Sequence, residues 1–191
     1  MKNLTFLGAL LCAAFAFAAP SQAQDFNSAP VPNSITTKYG ETRAYFRDWL
    51  AVCKPGEDAC RAVGYAGKVG HVGDYQFYVR SGMVGLDYQM QFVPIAVMAD
   101  TSMPMEIIID DESLGNFEFG ADDGYYCEGN VVNEFTFGQS RSNLDMLPAM
   151  QAGSTMAVRF TDENGETGNV QFSLFGLTNA IRWMDAYRQS D

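Results

Sequence analysis

The strongest constraint on this chain is a period-two alternation of apolar and polar residues that recurs along most of its length. In Leu86-Asp87-Tyr88-Gln89-Met90-Gln91-Phe92 the apolar side chains take one face, and Asp87, Gln89 and Gln91 the other. Successive side chains of a strand point to opposite sides, so this is the pattern of a strand buried on one face and wet on the other. Tyr75, Phe77 and Val79 alternate with Gln76, Tyr78 and Arg80; Met156, Val158 and Phe160 alternate with Ala157 and Arg159; Val170, Phe172 and Leu174 alternate with Gln171 and Ser173. The last two runs flank Asp162-Glu163-Asn164-Gly165, and Asn-Gly accepts the positive φ that a tight hairpin requires. Residues 45–53, 59–65, 105–110 and 116–119 are further strand candidates. Short strands at close intervals with turn residues between them build sandwiches or barrels.

Two segments change period. Ser142-Asn143-Leu144-Asp145 resembles a helix start, with Ser142 as cap and an acid three residues on. Pro148 costs about 3 kcal/mol in a helix interior, which predicts a helix that is short or kinked there, and Gly153 can end it. After Gly176, the residues Leu177, Ile181, Met184 and Tyr187 form one apolar stripe, and Arg188 suits the C-terminal end of a helix dipole. The residues predict a mainly β antiparallel domain, a sandwich or a barrel, with a short helix and a C-terminal helix.

Residues 1–23 read as a secretory signal peptide. Lys2 gives the positive start, an apolar run covers residues 4–19, and Ser21-Gln22-Ala23 places small residues before a cleavage point at Gln24. The run is shorter than the ~20 residues that span a bilayer. Cys12 does not make a lipoprotein signal, because Leu11 precedes it where a small residue is wanted. Cleavage near Ala23 leaves 168 of the 191 residues, with no transmembrane segment expected in the mature chain. The expected location is periplasmic or secreted. Residues 24–42, with Pro30, Pro32, Asn33, Ser34 and Gly40, read as a mobile N-terminal arm, and residues 43–191 as a single β-rich domain.

Charge narrows the partners. Twelve lysines and arginines stand against 23 acids, for a net charge of −11 that becomes −12 once Lys2 is removed. Nucleic acid and anionic lipid both call for a cationic surplus, so neither is an expected partner. His71 is the only histidine, which removes metal sites and catalytic pairs built on two imidazoles. It lies in a glycine-rich stretch, 67–73, that lacks the Gly-Lys-Ser/Thr ending of a phosphate loop. No Gly-x-Ser-x-Gly elbow occurs. Asp110-Asp111-Glu112 and Asp122-Asp123 are acids in expected turns without the spacing of a calcium loop. Met98, Met103 and Met105 suggest either thioether ligands for a soft metal or, more simply, adaptable core filling. Trp49 and Trp183 are expected to anchor packing. No catalytic, metal-binding or cofactor-binding residue is assigned, and no cofactor is expected.

Three cysteines remain after the signal: Cys53, Cys60 and Cys127. An exported protein meets oxidants, so a disulfide is expected, and an odd count leaves one thiol over. Cys53 and Cys60 flank a Pro-Gly turn and are the favoured pair, with Cys60–Cys127 the alternative. On the first pairing Cys127 is a free or intermolecular thiol, which makes a homodimer conceivable; its surroundings, 124–129, read as an exposed turn followed by a strand.

Phe46-Arg47-Asp48-Trp49-Leu50-Ala51-Val52-Cys53, followed by Cys60, resembles the opening of the invasion-associated locus B family. Residues 172–181, Phe-Ser-Leu-Phe-Gly-Leu-Thr-Asn-Ala-Ile, resemble that family's closing strand-to-helix step. A related group of uncharacterised exported bacterial proteins is similar at the opening and at Trp183-Met184-Asp185. The resemblance implies a small exported protein of Gram-negative bacteria with a β-sandwich-like fold, associated with host-cell entry in pathogenic members. It carries no catalytic residue or cofactor across. Cys53 and Cys60 match the first cysteine pair of the family, whereas Cys127 stands alone where members carry a second pair. The function expected is therefore that of a non-enzymatic envelope protein that binds a protein or a cell-envelope component. The alternative is a small periplasmic hydrolase using His71 or the loop acids, and a metal carrier using the Met cluster ranks behind both.

Overall fold

Short connections make strands that follow one another in sequence pair with one another in space. The computed structural model describes residues 34–54, 60–67, 73–81, 88–127, 133–137 and 141–190, and its first six strands form such a meander. They are β1 (Ile35–Thr36), β2 (Thr42–Phe46), β3 (Trp49–Cys53), β4 (Cys60–Ala66), β5 (Tyr75–Ser81) and β6 (Tyr88–Pro94). The chain then crosses to a second layer with β7 (Met105–Ile109) and β8 (Glu112–Phe117). It returns for β9 (Tyr125–Cys127) and β10 (Phe135–Phe137), passes through α1 (Arg141–Ala152), and completes the second layer with β11 (Thr155–Thr161) and β12 (Thr167–Ser173). α2 (Leu177–Ser190) ends the described chain. The two antiparallel sheets have the strand orders β1-β2-β3-β4-β5-β6-β10-β9 and β12-β11-β7-β8. This is an antiparallel β-sandwich with two helices: the alternation predicts the mainly β class, and the family resemblance implies the sandwich.

The core is an aromatic layer between the sheets. Phe77 and Phe92 of the large sheet meet Phe172 of the small one, with ring centroids 5.8 and 6.3 Å apart, and Phe92 meets Phe160 at 5.4 Å. Edge-to-face contacts of this kind add to the free energy of burial itself. Six methionines (Met90, Met105, Met146, Met150, Met156 and Met184) are buried among these rings, where an unbranched thioether fills irregular gaps. α2 covers β2, β3 and β4 through Leu177, Ile181 and Met184, with Tyr187 packed at the side. Ala180 and Trp183 are buried too, so the apolar stripe is broader than the four residues of the sequence pattern. Both tryptophans are fully buried, and Trp49 Nε1 donates to Ser173 O at 2.9 Å, joining β3 to the end of β12.

Several sequence expectations change. Residues 45–53 are not one strand: Arg47 and Asp48 turn the chain between β2 and β3, with Arg47 at φ 56°. Arg-Asp carries no hairpin signature, so the turn was invisible to residue preference. It is held from outside: Asp48 N donates to Phe175 O, and Ser173 Oγ donates to Asp48 Oδ2 at 2.6 Å. Gly176 beside it adopts φ 101°, and a Cβ there would lie 1.8 Å from Phe46 O, so only glycine fits. The sheet begins at Ile35 rather than near residue 43, because β1 pairs Ile35 with Arg43 and Thr36 with Thr42. β8 starts at Glu112, four residues before the expected strand at 116–119, because Asp110 and Asp111 supply a positive-φ turn that folds it back on β7. Ser142 lies inside α1 instead of capping it, and the helix continues through Pro148. Gly153 ends that helix against β7, where a Cβ would fall 2.5 Å from Ile109 Cγ2. The signal segment and His71 lie outside the described residues.

Candidate binding face on the large sheet

Cys53 and Cys60 are directly opposed where β3 pairs with β4, with Cα atoms 4.3 Å apart, and their sulfurs are joined in a disulfide. Cys127 is the free cysteine of the described residues. It lies on β9, an edge strand, opposite Phe135 and half-buried against the core, so the expected exposed setting is only partly realised. Met105 is a core residue of β7, whereas Met98 and Met103 are exposed, so the three thioethers do not share one environment. Asp110 is occupied structurally. Its carboxylate accepts from Thr155 N at 2.8 Å and Ser154 N at 3.0 Å, and these backbone bonds, Thr155 first, hold its pKa below the ordinary carboxylate value. Among the described residues no group of three His, Cys, Asp or Glu side chains is placed to hold a metal ion.

The large sheet gathers a different set of residues on its outer face. Phe77 and Phe92 point at the small sheet, so their neighbours Tyr78 and Gln91 point away from it. Strand register then assembles two rows across that face. In the first, Arg43 opposes Val52, Val52 opposes Arg61, Arg61 opposes Arg80, and Arg80 opposes Gln89. In the second, Tyr45, Leu50, Val63, Tyr78, Gln91, Thr136 and Tyr126 follow one another strand by strand. Tyr45 is 65% exposed and Tyr65 41%, and Arg61 is also exposed.

The face is wired by polar contacts. The Arg61 guanidinium lies over the Tyr78 ring, 5.9 Å from its centroid, and the Tyr78 hydroxyl donates to Gln76. Arg43 pairs with Glu41 at 2.5 Å. The Gln91 amide satisfies all its neighbours when its oxygen accepts from Thr136 Oγ1 at 2.9 Å and Arg80 at 3.1 Å, and its nitrogen donates to Glu134 at 3.2 Å. Gln89 Nε2 donates to Tyr126 Oη at 2.9 Å, while Gln89 Oε1 is buried without a hydrogen-bond partner among the described residues. Burial raises the pKa of both Tyr65 and Tyr78 above the usual phenol value, so their hydroxyls stay protonated at neutral pH.

This corrects the sequence reading of β6. Gln89 and Gln91 were expected in water, yet both are fully buried, as is Thr136. The alternation placed them on the right face, but a two-residue period does not tell whether that face is wet. The arginine row was missed for a related reason. Arg43, Arg61 and Arg80 are dispersed in sequence, and only strand register makes them neighbours.

A second concavity, of about 560 Å³, opens between the sheets and is lined by Ala66, Tyr75, Val97, Phe160, Asp162 and Gln171, among others. Its buried acid, Asp162, is engaged by the β11–β12 turn, accepting from Asn164 N and Glu166 N at 2.9 Å each. That carboxylate shapes the hairpin.

No protein-family model matches the sequence, and no curated protein does. Among solved structures, the chain is similar to invasion associated protein B from Bartonella henselae, with a TM-score of 0.54 over 77% of this chain and 98% of that one. The sequences are 14% identical across the match, so what the two share is the fold.

Proposed function

We propose that this chain is an exported, non-catalytic envelope protein that binds a protein or a cell-surface component through the outer face of its large sheet. The carrying observation is the gathering of Arg43, Arg61 and Arg80 beside a tyrosine row on one face of a chain whose net charge is −11. A pattern that opposes the charge of the whole chain is a specific feature of one surface. The disulfide fits an oxidising compartment. Among the described residues no helix is long and apolar enough to cross a membrane.

The test is site-specific photo-crosslinking in intact envelopes, with the photoreactive residue at Tyr45 on the proposed face or at Leu114 on the small sheet. Both positions are exposed, so accessibility does not decide the result. A reproducible product from position 45 and none from position 114 is expected. No product at either position, or the same product from both, would sink the proposal.

A further inference from the structure

We infer that the free edge of β12 is a further docking site, separate from the outer face of the large sheet, and that it takes an extended cationic peptide as an added strand. A sheet edge is a row of unpaired backbone groups, which proteins blunt by shortness, charge, proline or a bulge. Among the described residues the large sheet ends in β1 and β9, strands of two and three residues. The small sheet ends in β8 and β12. β8 begins with Glu112, and its register with β7 is broken between Ile107 and Ile108. β12 has none of these devices. Its seven residues, Thr-Gly-Asn-Val-Gln-Phe-Ser, carry no charge and no proline, and they pair with β11 without interruption.

Backbone bonds at the two ends of β12 fix which residues face outward. Asp162 N donates to Glu166 O and Leu174 N to Ser154 O, at 2.9 Å each. An antiparallel ladder bonds alternate pairs, so Gly168, Val170 and Phe172 bond β11, whereas Thr167, Asn169 and Gln171 turn N–H and C=O to the open edge. Among the described residues no other segment bonds the backbone of these outward residues. The open stretch stops at Ser173, whose carbonyl accepts from Trp49 Nε1. The concavity of about 560 Å³ lies along the same stretch, lined by 167–171 together with Ala66, Tyr75, Val97 and Phe160. A strand laid beside β12 turns alternate side chains into that space. Asp162 and Glu166 line it too, and no lysine or arginine does among the described residues, so the incoming strand is complementary when it carries a cation. A second copy of the chain would bring the same acids and a net charge of −11, which opposes pairing of β12 with itself. A compact small molecule would fill the concavity and leave the row of backbone groups unpaired.

The probe is the end-blocked peptide Lys-Thr-Val-Thr-Val-Thr-Lys, added to labelled protein from cells expressing the full chain and followed by NMR amide exchange. In the free protein the amides of Thr167, Asn169 and Gln171 are expected to exchange fast, and the peptide to slow them; the Val170 amide is protected throughout. Protection of the outward amides without peptide would overturn the inference, in favour of a second copy if it rises with protein concentration and of cover by the chain itself if it does not. Two further peptides carry N-methyl groups on one or the other alternate set of amides. One set should bind like the parent and the other about 10-fold more weakly or worse; equal binding of both would show that side chains alone hold the peptide and overturn strand addition. Replacing both lysines with glutamates should weaken binding about 5-fold or more, and equal affinity would overturn the cationic partner. Gln171→Pro removes an edge N–H that the native ladder does not use, so thermal unfolding should stay close to native while peptide affinity falls about 10-fold or more. Full binding by that variant would overturn the site, and if the variant does not fold, the methylated pair decides. Failure of the parent peptide to bind at millimolar concentration would overturn the inference outright.

Discussion

The two faces of the large sheet are made by the same strands and obey opposite rules. Trp49, Phe77, Phe92 and Phe137 line the inner face, where rings interlock with the small sheet and α2. The residues alternating with them on the outer face are arginines, tyrosines and glutamines, several joined by side-chain hydrogen bonds, around the buried Leu50, Val52 and Val63. The inner face is held by area removed from water, roughly 25 cal/mol per Å². The outer face adds polar pairing to a smaller apolar strip, and such pairing contributes less per contact but is costly when one partner is lost. Stability therefore belongs chiefly to one side of the sheet, and the capacity to recognise a partner to the other.

The sharpest way to break this contrast is Trp49→Ala. It should cost about 3–5 kcal/mol, the range for removing a large buried aromatic. It would also leave Ser173 O without its indole donor and unload Gly64, on which the Trp49 ring lies 3.1 Å from a Cβ position. A lower midpoint in urea at unchanged slope is the expected readout.

Replacing both Cys53 and Cys60 with alanine should cost about 2–3 kcal/mol through chain entropy for a loop closed across a separation of seven residues. Non-reducing and reducing denaturation of the native protein should differ by a similar amount. The double variant should show no such difference.

Thr136→Val tests the buried part of the outer face. It removes the hydroxyl that bonds Gln91, and a cost of about 1–3 kcal/mol is expected for leaving a buried polar group unsatisfied. Adding Gln91→Leu should cost more than Thr136→Val alone, since it also takes the amide from Arg80 and Glu134. If the double variant is as stable as Thr136→Val alone, the network is not what holds this region.

The smallest effect on stability is expected from Tyr45→Ser, at the exposed end of the tyrosine row. It should lie within about 0.5 kcal/mol of the native protein in thermal unfolding. A larger loss would show that the row is a structural element and blur the distinction between the faces.

How much of this was legible beforehand depends on the kind of signal. Asn164-Gly165 announced the β11–β12 hairpin because residue type alone sets its tolerance of positive φ. The Arg47-Asp48 turn carried no such announcement, since its conformation is imposed by contacts from Ser173 and Phe175, more than a hundred residues away. Ser142 looked like a cap because its spacing to Asp145 fits one, but helix boundaries also depend on what packs around them.

The sequence by itself determined the alternation, and with it the mainly β class, the side of each strand on which a residue stands, and the short connection that favours pairing Cys53 with Cys60. These are local properties, set by the two-residue repeat of extended chain and by turn chemistry. Tertiary structure alone decided which strands became neighbours. That choice put Arg61 against Arg80, tied Gln91 to Thr136 and Glu134, and buried side chains whose residue type belongs in water. Pairing across a sheet joins residues far apart in sequence, and only the packing of the whole chain selects it.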